Sequence, residues 1–381
     1  MKLPTLSSSA VLEPAPATGA SIPKDRAQTA RKPSPVALLL SVVVLNYNDT
    51  MWLDRLFASL AAQTAAADLE ILFADNGSTD HSDLLAADLM KDRPNWRLLR
   101  FAEDLGCPGG YNAAARQARG QYIVFLNPDL WLEPDCLERL MHEVRAADAT
   151  IATPLVMEYQ DDTVQSVGEE GFDVFGFVCG SSNSLKPQTV WVANGPAIVV
   201  NADWFRKLGG FDARFFMYAE EYDLCWRTWL AGGKVILAPS ARVHHRRSAV
   251  TVTSSGGQAM VENRTSDTRR FYANRNGLLV LLKNSQHLLL FLVPLQLCML
   301  AAEALVMGLL SRRISHIRRA YLEAVLDCWR LRRHILAERR RLKYLRRRGD
   351  FWMLRFLRGR FNRWREFRRL LRFGLPKVDS K

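Results

Sequence analysis

Short apolar runs alternate with helical patterns through the first half of the chain. The helical patterns are Met51–Ala62, a segment that follows Asp75–Asp80 and continues to Met90, and the Ala-rich Tyr111–Arg119, which Gly120 ends in the usual C′ place. This alternation predicts an α/β fold with a mostly parallel sheet covered by helices on both faces. The predicted strands are Ser41–Leu45, Glu70–Ala74, Arg97–Phe101 and Tyr122–Leu126.

The second half changes character at a strand-rich stretch, Val190–Asn201. Helices are predicted over Trp204–Leu208, with Asp203 as the N-cap, and over Tyr218–Leu230, and a strand follows at Val235–Ala238. The predicted organisation is a disordered leader at 1–37, a catalytic domain at 38–248, a mobile linker at 249–262, apolar membrane-associated helices at 263–310 and a basic amphipathic helical tail at 311–381.

Composition separates the tail from the rest. Residues 311–381 carry 24 Lys and Arg against 6 Asp and Glu, whereas the remainder has 28 basic and 33 acidic residues. The six cysteines form no C-x-x-C pair, which indicates thiols of a reducing compartment. The apolar run Val36–Leu45 could be a signal-peptide core, but it lacks a small-residue cleavage site and runs straight into Asn46, which favours a buried first strand.

Polar residues follow the predicted strands, where a parallel sheet places its ligand-binding loops. Asn46 ends the first strand and Asp75 the second; such a carboxylate can accept hydrogen bonds from a pyrimidine or a ribose, although the same loop composition also suits a turn and a helix N-cap. Gly110 and Asn112 lie where a helix begins, and backbone amides there can face phosphate oxygens. With Asn127, these residues are the candidate nucleotide-sugar contacts.

Asp129 is the candidate metal ligand, because a carboxylate at the mouth of a buried strand is costly unless it is solvated, paired or bound to a cation. A divalent metal that bridges diphosphate oxygens needs few protein carboxylates. The alternative is a simple turn residue. His244 and His245 are candidates for a further metal or diphosphate ligand, against the alternative of surface histidines without a role.

Glu220, Glu221 and Asp223 open a predicted helix. Acids oppose the helix dipole there, and Asp223 can pair with Arg227, so structural roles account for Glu220 and Asp223. These structural roles explain less well why three acids follow the aromatic run Phe215–Tyr218. A partly apolar setting of this kind raises the pKa of a carboxylate toward that of a usable base. All three acids are therefore candidate catalytic residues.

The order of these motifs resembles glycosyltransferase family 2, especially its rhamnosyltransferase-like branch. The resemblance covers roughly residues 40–250 and implies a Rossmann-like domain of the glycosyltransferase A type. It also implies a nucleotide-diphospho-sugar donor, a divalent metal (Mg or Mn), and inversion at the anomeric carbon without a covalent intermediate. The segments that carry it are V-V-V-L-N-Y-N from Val42, D-N-G-S-T-D from Asp75, N-P-D from Asn127, G-G-F-D-A-R-F-F-M-Y-A-E-E-Y-D-L-C-W-R from Gly209 and V-H-H from Val243.

Two positions depart from the family's pattern. The first position of its D-x-D metal motif is Asn127 here, which leaves the metal to Asp129. The family's acid pair is usually Glu-Asp with the Asp as base, and here Glu221 stands at the position of that Asp. Glu221 is the predicted base, and Asp223 stays open as the alternative.

The predicted function is transfer of a sugar, with rhamnose as the candidate, to a hydroxyl of a glycan or lipid-linked acceptor at the cytoplasmic face of the membrane. The alternatives are a non-catalytic membrane-bound sugar-nucleotide binding or scaffold protein, and a sugar nucleotidyltransferase, whose lysine-rich phosphate loop is missing. Nucleic acid is not an expected partner, because no recognised reading module accompanies the basic tail.

Two segments predict contact with an anionic membrane. Leu288–Leu310 is long enough to span a bilayer, but Pro294 and Glu303 favour an interfacial or re-entrant helix. The tail has an apolar stripe flanked by arginines, typical of a helix on anionic lipid, although it could instead pack on its own mildly acidic catalytic domain. The stripe consists of Phe351, Leu354, Leu357, Phe361, Trp364, Phe367 and Leu371.

Overall fold

The computed structural model describes residues 40–65, 69–180, 185–246, 251–253, 259–261, 264–311, 314–360 and 377–379. The strands in chain order are β1 (Leu40–Asn46), β2 (Leu69–Asp75), β3 (Trp96–Arg100), β4 (Tyr122–Leu126), β5 (Leu130–Leu132), β6 (Ile151–Glu158), β7 (Val164–Ser166), β8 (Gly171–Phe172), β9 (Val178–Cys179), β10 (Gln188–Thr189), β11 (Ala197–Asn201), β12 (Val235–His245), β13 (Thr251–Thr253), β14 (Ala259–Val261), β15 (Arg264–Ser266) and β16 (Lys377–Asp379).

The helices alternate with the early strands and then run without long interruption to residue 356. They are α1 (Leu53–Ala61), α2 (Ser82–Leu89), α3 (Gly106–Ala115), α4 (Cys136–Ala146), α5 (Ala202–Leu208), α6 (Glu220–Leu230), α7 (Asp267–Asn284), α8 (Leu292–Ser311), α9 (Ile314–Ile317), α10 (Ala324–Arg330), α11 (Arg332–Leu345) and α12 (Asp350–Met353). Three-residue 3₁₀ turns lie at Ala213–Phe215, Leu289–Phe291 and Leu354–Phe356, and a π-helical segment at Arg318–Glu323.

A mixed sheet of strand order β10-β12-β6-β11-β4-β1-β2-β3 forms the centre of the fold, with β5 and β7 attached at β12 and β6. The strands β3, β2, β1 and β4 are parallel, β11 runs antiparallel between β4 and β6, and β6 pairs in parallel with β12. The predicted α/β fold with a mostly parallel sheet is confirmed. Asn46 pairs with Asp75 in the register of β1 and β2, so the predicted ligand loops share one edge.

Alternate residues of each central strand feed two hydrophobic clusters. In β1, Val42 and Val44 face one cluster, which α1, α2 and α4 cover, while Val43 and Leu45 face the other. This period of two on a strand buried on both faces explains why β1 is an uninterrupted apolar run.

The second cluster extends into the C-terminal helices. Leu281 of α7, Ile335 and Leu342 of α11, and Phe356 belong to the same buried cluster as Trp226 of α6. The helices that follow the predicted boundary at residue 263 therefore share a hydrophobic core with the predicted catalytic domain.

Arginines of the tail bind the carbonyl groups that end α6 and α7. Arg348 donates to the Gly232 and Gly233 oxygens at 3.0 and 2.8 Å, and Arg346 to the Asn284 oxygen at 2.7 Å. Arg348 also lies 3.3 Å from the Trp229 oxygen in the last turn of α6, and Asn284 is the last residue of α7. A helix leaves such carbonyls unpaired at its C-terminus, where a cation also interacts favourably with the dipole. Part of the basic tail is thus structural.

The predicted helix along the stripe at 351–371 is wrong in its first part. α12 ends at Met353, a 3₁₀ turn follows, and Leu357 is extended at φ −67° and ψ 131°. Trp352 and Phe356 pack against Trp229 at ring-centroid distances of 5.5 and 5.0 Å, so these side chains turn inward. The rest of the stripe, from Phe361 to Leu371, lies outside the described residues, as does the leader.

Two smaller predictions differ from the structure. The predicted mobile linker contains the antiparallel pair β13 and β14 in its described parts. α5 begins at Ala202, and its N-cap is Asn201, whose side chain accepts a hydrogen bond from the Trp204 amide at 3.0 Å, not Asp203.

Candidate active site

The ends of β1 and β2 place two acceptor atoms at the sheet edge. Asn46 donates from Nδ2 to the Ser82 hydroxyl at 2.7 Å, and Asp75 accepts the Ser78 amide at 3.2 Å through Oδ2. Asn46 Oδ1 and Asp75 Oδ1 are buried, and within the described residues neither has a hydrogen-bond partner. Buried acceptors without a donor are rare because they are costly, so a ligand that supplies N–H or O–H groups fits here.

Gly110 and Asn112 both have structural contacts, and the predicted phosphate contact of the backbone amides near Gly110 stays a prediction. A Cβ on Gly110 would lie 2.5 Å from Leu45 Cδ1, so this glycine permits the close approach of α3 to β1. The Asn112 side chain donates to the Phe211 carbonyl at 2.7 Å and accepts the Phe211 amide at 2.9 Å. Both of its polar atoms are therefore occupied by the Gly-Gly-Phe turn, and the prediction that Asn112 binds the donor does not fit this position.

Asp129, just before β5, and His245, at the end of β12, lie close together, and we call the region between this pair and the first turn of α6 the cleft. The antiparallel pairing of β5 with β12 sets His245 opposite Leu130, and His245 Nε2 lies 3.4 Å from Asp129 Oδ1. The other ring nitrogen of His245 is 2.8 Å from Gln165 Oε1. A partner of this kind on the second nitrogen fixes the orientation of a metal-binding imidazole.

His244 points away from this pair, because successive residues of a strand face opposite sides. Its ring stacks on Trp131 at 3.8 Å, with Nδ1 3.1 Å from the Glu158 carbonyl oxygen and Nε2 3.5 Å from Glu133. The structure therefore brings His245, and not His244, to Asp129.

Two further acids surround Asp129. Burial, together with the charges of Asp129 and Asp80, raises the pKa of Asp49 to about 6. Asp80 belongs to the predicted loop, but the sequence analysis passed over Asp49. The sequence feature that could have identified Asp49 is its position, three residues after Asn46 at the end of the same strand.

The residues present fit a divalent metal held jointly with a diphosphate. Within the described residues no three His, Cys, Asp or Glu side chains form a ligand cluster. Asp129 and His245 supply one oxygen and one nitrogen, and the neighbouring acids add negative charge. A metal that takes most of its ligands from phosphate and water needs no more than this.

Glu220 and Glu221 open α6 on the other side of the cleft. Burial raises the pKa of Glu221 well above its usual range, and the Glu220 charge raises it further. Burial also raises the pKa of Glu220, whose carboxylate accepts a hydrogen bond from the Cys107 thiol. Oε2 of each glutamate is buried, with no hydrogen-bond partner among the described residues. Gly195 lies beside Glu221, where a Cβ would be 3.4 Å from its Oε1.

Asp223 lies inside the protein, not at the cleft. Its carboxylate is fully buried, 2.8 Å from Arg227 and 3.0 Å from Lys283, and it accepts a hydrogen bond from Asn284 at 3.0 Å. Burial opposes its charge, but the two cations hold the pKa of Asp223 below its usual value. An acid so occupied cannot take a proton from a bound acceptor, so the alternative that Asp223 is the base does not fit.

The loop before α6 is strained and is held from α7. Phe216, Tyr218 and Ala219 have φ of 62°, 66° and 65°, which side-chain-bearing residues rarely adopt. Asn276 Nδ2 lies 3.0, 2.6 and 2.8 Å from the carbonyl oxygens of Phe215, Met217 and Tyr218, and Arg275 donates to the Phe215 carbonyl at 2.9 Å. Neither residue was predicted, because nothing local in the sequence of α7 indicates which loop it contacts.

Tyr111 connects the two acidic groups. Burial raises the pKa of its hydroxyl well above the usual range, and the charges of Glu220 and Asp129 both add to the rise. The same hydroxyl is 3.3 Å from Asn127 Oδ1. The Asn127 amide donates to the Pro196 carbonyl at 3.0 Å, and the adjacent Gly195 lies beside Glu221, so Asp129 and the glutamates lie in one region of the fold.

Comparison with known proteins agrees with this arrangement. The family described as Glycosyl transferase family 2 matches residues 41–219. The chain is 26% identical over 242 residues to an N-acetylglucosaminyl-diphospho-decaprenol L-rhamnosyltransferase of Mycobacterium tuberculosis, covering 56% of this chain and 78% of that protein. It is 28% identical over 210 residues to the O-antigen biosynthesis protein RfbC of Myxococcus xanthus, covering 52% of this chain and 16% of that one.

Solved structures share the fold. GalNAc-T7 with UDP, GalNAc and Mn²⁺ superposes with a TM-score of 0.52 at 18% identity, over 64% of this chain and 47% of that one. S. aureus TarS 1-349 in complex with UDP superposes with a TM-score of 0.51 at 14% identity, over 86% of this chain and 91% of that one. The resemblance seen in the motifs is confirmed over residues 41–219, which match glycosyltransferase family 2, and these similarities support glycosyl transfer from a nucleotide-sugar donor.

Proposed function

We propose that the protein is an inverting, metal-dependent glycosyltransferase in which Glu221 is the general base. The observation that carries the proposal is the Glu221 carboxylate, which has a raised pKa and a buried oxygen without a partner among the described residues. It borders the same cleft as the Asp129–His245 pair. A base on one side of the cleft and a metal site on the other suit direct displacement of a nucleoside diphosphate.

In this mechanism Asn46 and Asp75 bind the nucleoside, and Asp129 with His245 would hold a metal, which would supply charge neutralisation to the leaving diphosphate. The Mn²⁺ and UDP found with GalNAc-T7 support this assignment by analogy of fold. The oxygen of the acceptor hydroxyl attacks the anomeric carbon, and Glu221 takes the proton of that hydroxyl. Because the base serves the acceptor and forms no bond to the sugar, the configuration inverts.

Rhamnose is the sugar we propose, and a lipid-linked glycan of the cell envelope is the acceptor. Both come from the names of the rhamnosyltransferase and the O-antigen protein to which the chain is similar. With a lipid-linked acceptor, we propose that the enzyme acts at the cytoplasmic face of the membrane. In the described part of the chain, one helical segment, Leu289–Leu310, is long and apolar enough to cross a bilayer, with a mean hydropathy of 2.2.

The test is product analysis with Glu221→Gln. The wild type should release nucleoside diphosphate together with a glycosylated acceptor, and Glu221→Gln should lose about 10²–10⁴-fold in rate while binding donor normally. Release of pyrophosphate from a nucleoside triphosphate and a sugar 1-phosphate would identify a nucleotidyltransferase, and donor binding without any product would identify a binding protein. Full activity of Glu221→Gln would exclude this residue as the base.

A further inference from the structure

The helix α8 exposes a face made only of apolar side chains. Glu303, its one acid, points the other way, 3.5 Å from Arg270 of α7. Gln296 and Leu300 also face inward and are buried. Its exposed residues, with the preceding Phe291, are Phe291, Pro294, Leu295, Cys298, Ala301, Ala302, Leu305, Val306, Leu309 and Leu310.

The helical run from Ile314 to Tyr344 has an exposed face of a different kind, basic and aromatic. The acids of this run, Glu323, Asp327 and Glu338, are engaged by arginines at 3.2, 3.0 and 2.8 Å and are only partly exposed. The exposed face consists of Ile314, Ser315, Arg318, Arg319, Leu322, Leu326, Trp329, Arg330, Arg332, Arg333, Leu336, Ala337, Arg340, Lys343 and Tyr344.

The helices that carry these two faces pack against each other. Leu300 of α8 packs against Ala320 and Tyr321 of the π-helical segment in a small buried cluster, which joins α8 to the beginning of the basic run. An apolar helix beside a row of arginines with tryptophan and tyrosine is the composition of a surface that inserts shallowly into a bilayer and attracts its anionic headgroups. Charge complementarity distinguishes this surface from an ordinary protein interface, whose core is depleted in charge.

We propose that α8 and the exposed face of residues 314–344 form a membrane-docking surface for anionic lipid. This inference rests on the proposed lipid-linked acceptor and goes beyond it by naming the surface. α8 lies in the interface with its apolar face in the acyl region, and the arginines contact phosphate groups. The surface does not include the stripe at 351–371, whose members from Phe361 onward lie outside the described residues.

The docking surface is coupled to the catalytic loop through one turn of α7. Asn274 donates to the Ala320 carbonyl at 2.9 Å and Arg275 pairs with Asp327 at 3.0 Å, both on the docking side. Asn276, the next residue, holds the loop before Glu220. The docking surface therefore holds the catalytic glutamates at a fixed distance from the bilayer. This suits an acceptor whose sugar lies at a fixed distance from its lipid.

The test is co-sedimentation of the full-length protein with phosphatidylcholine vesicles that contain phosphatidylglycerol. Arg330→Glu/Arg333→Glu should weaken vesicle binding by about thirtyfold or more, since each basic residue near anionic lipid contributes about fivefold. Leu305→Glu/Leu309→Glu should abolish binding, because it puts charge in the apolar face. The matched controls are Leu84→Glu and Arg145→Glu, exposed residues of α2 and α4 that should bind like the wild type.

Unchanged binding of both double variants would overturn the proposal. So would a dimer that both variants dissociate, since the surface would then bind a second copy. Retention on vesicles after alkaline carbonate extraction would mean that α8 spans the bilayer, and would overturn the interfacial placement. An assay of sugar transfer to a soluble acceptor in detergent separates the two proposals. The docking variants should keep this transfer activity. If the wild type binds vesicles but shows no transfer activity, the proposed function alone is refuted.

Discussion

Residues that are neighbours in the sequence can have opposite environments, and α6 gives the clearest case. Glu221 and Asp223 are two positions apart and so point about 200° away from each other around the helix. One carboxylate borders the cleft, and the other is buried between Arg227 and Lys283. The acid pattern alone left both open as the base, because spacing places residues on a helix but does not say which face meets the cleft.

The adjacent histidines provide a matched pair of variants. We expect His245→Gln to weaken Mn²⁺-dependent donor binding by about 10–100-fold, the usual cost of disturbing a metal site. His244→Gln should leave that affinity unchanged, because its ring stacks on Trp131 on the opposite side of β12. Calorimetric titration of donor with and without Mn²⁺ measures both. Equal losses in the two variants would contradict the assignment of His245.

At the scale of elements, the strand ends were predictable because sheet geometry converts sequence order into spatial order. Asn46, Asp75 and Asp129 follow from apolar runs and the polar residues that end them. The loop at Phe216–Ala219 did not follow, since its positive φ values occur at residues that do not favour them. Only contacts with α7, distant in sequence, determine that conformation.

We expect Asn276→Ala to lower kcat by about 10²-fold with little change in the KM for donor. The alanine cannot donate to the loop carbonyls, and a displacement of about 1 Å at a reacting group costs rate on this order. The matched control is Asn274→Ala, on the same helix, which donates to Ala320 instead. Steady-state kinetics and a thermal melt distinguish the cases: an equal fall in kcat for both variants would mean general destabilisation.

At the scale of the whole molecule, a buried charge cluster joins α6, α7 and α11. Lys283 lies between Asp212 and Asp223, and His334 of α11 is 2.8 Å from Asp212. The nearby cations hold the pKa of both carboxyls below the usual aspartate range. Composition predicted a separate basic tail, because charge counts do not reveal that some tail residues complete the core.

We expect Lys283→Met to reduce the free energy of unfolding by about 3–5 kcal/mol at neutral pH, because it removes the cation that the two buried carboxylates share. In the wild type, carboxyls with depressed pKa values stabilise the fold above the unfolded pKa of about 3.9 and lose that contribution as the pH falls. In the variant, protonation of the same carboxyls stabilises the fold. The difference in free energy of unfolding between the wild type and the variant should therefore decrease as the pH falls. Denaturant titrations at several pH values measure this difference, with Lys91→Met at an exposed position as the control. A difference in free energy of unfolding that does not change with pH would contradict the prediction.

The tail arginines also bear on the order in which the protein is completed during synthesis. Arg348 holds the carbonyls after α6, yet it leaves the ribosome more than a hundred residues later, on the order of ten seconds at ordinary elongation rates. During that interval the helix that begins with Glu220 and Glu221 lacks these contacts. Arg348 comes after the proposed docking helices in the chain, so the docking surface that we propose is synthesised before α6 has all its contacts.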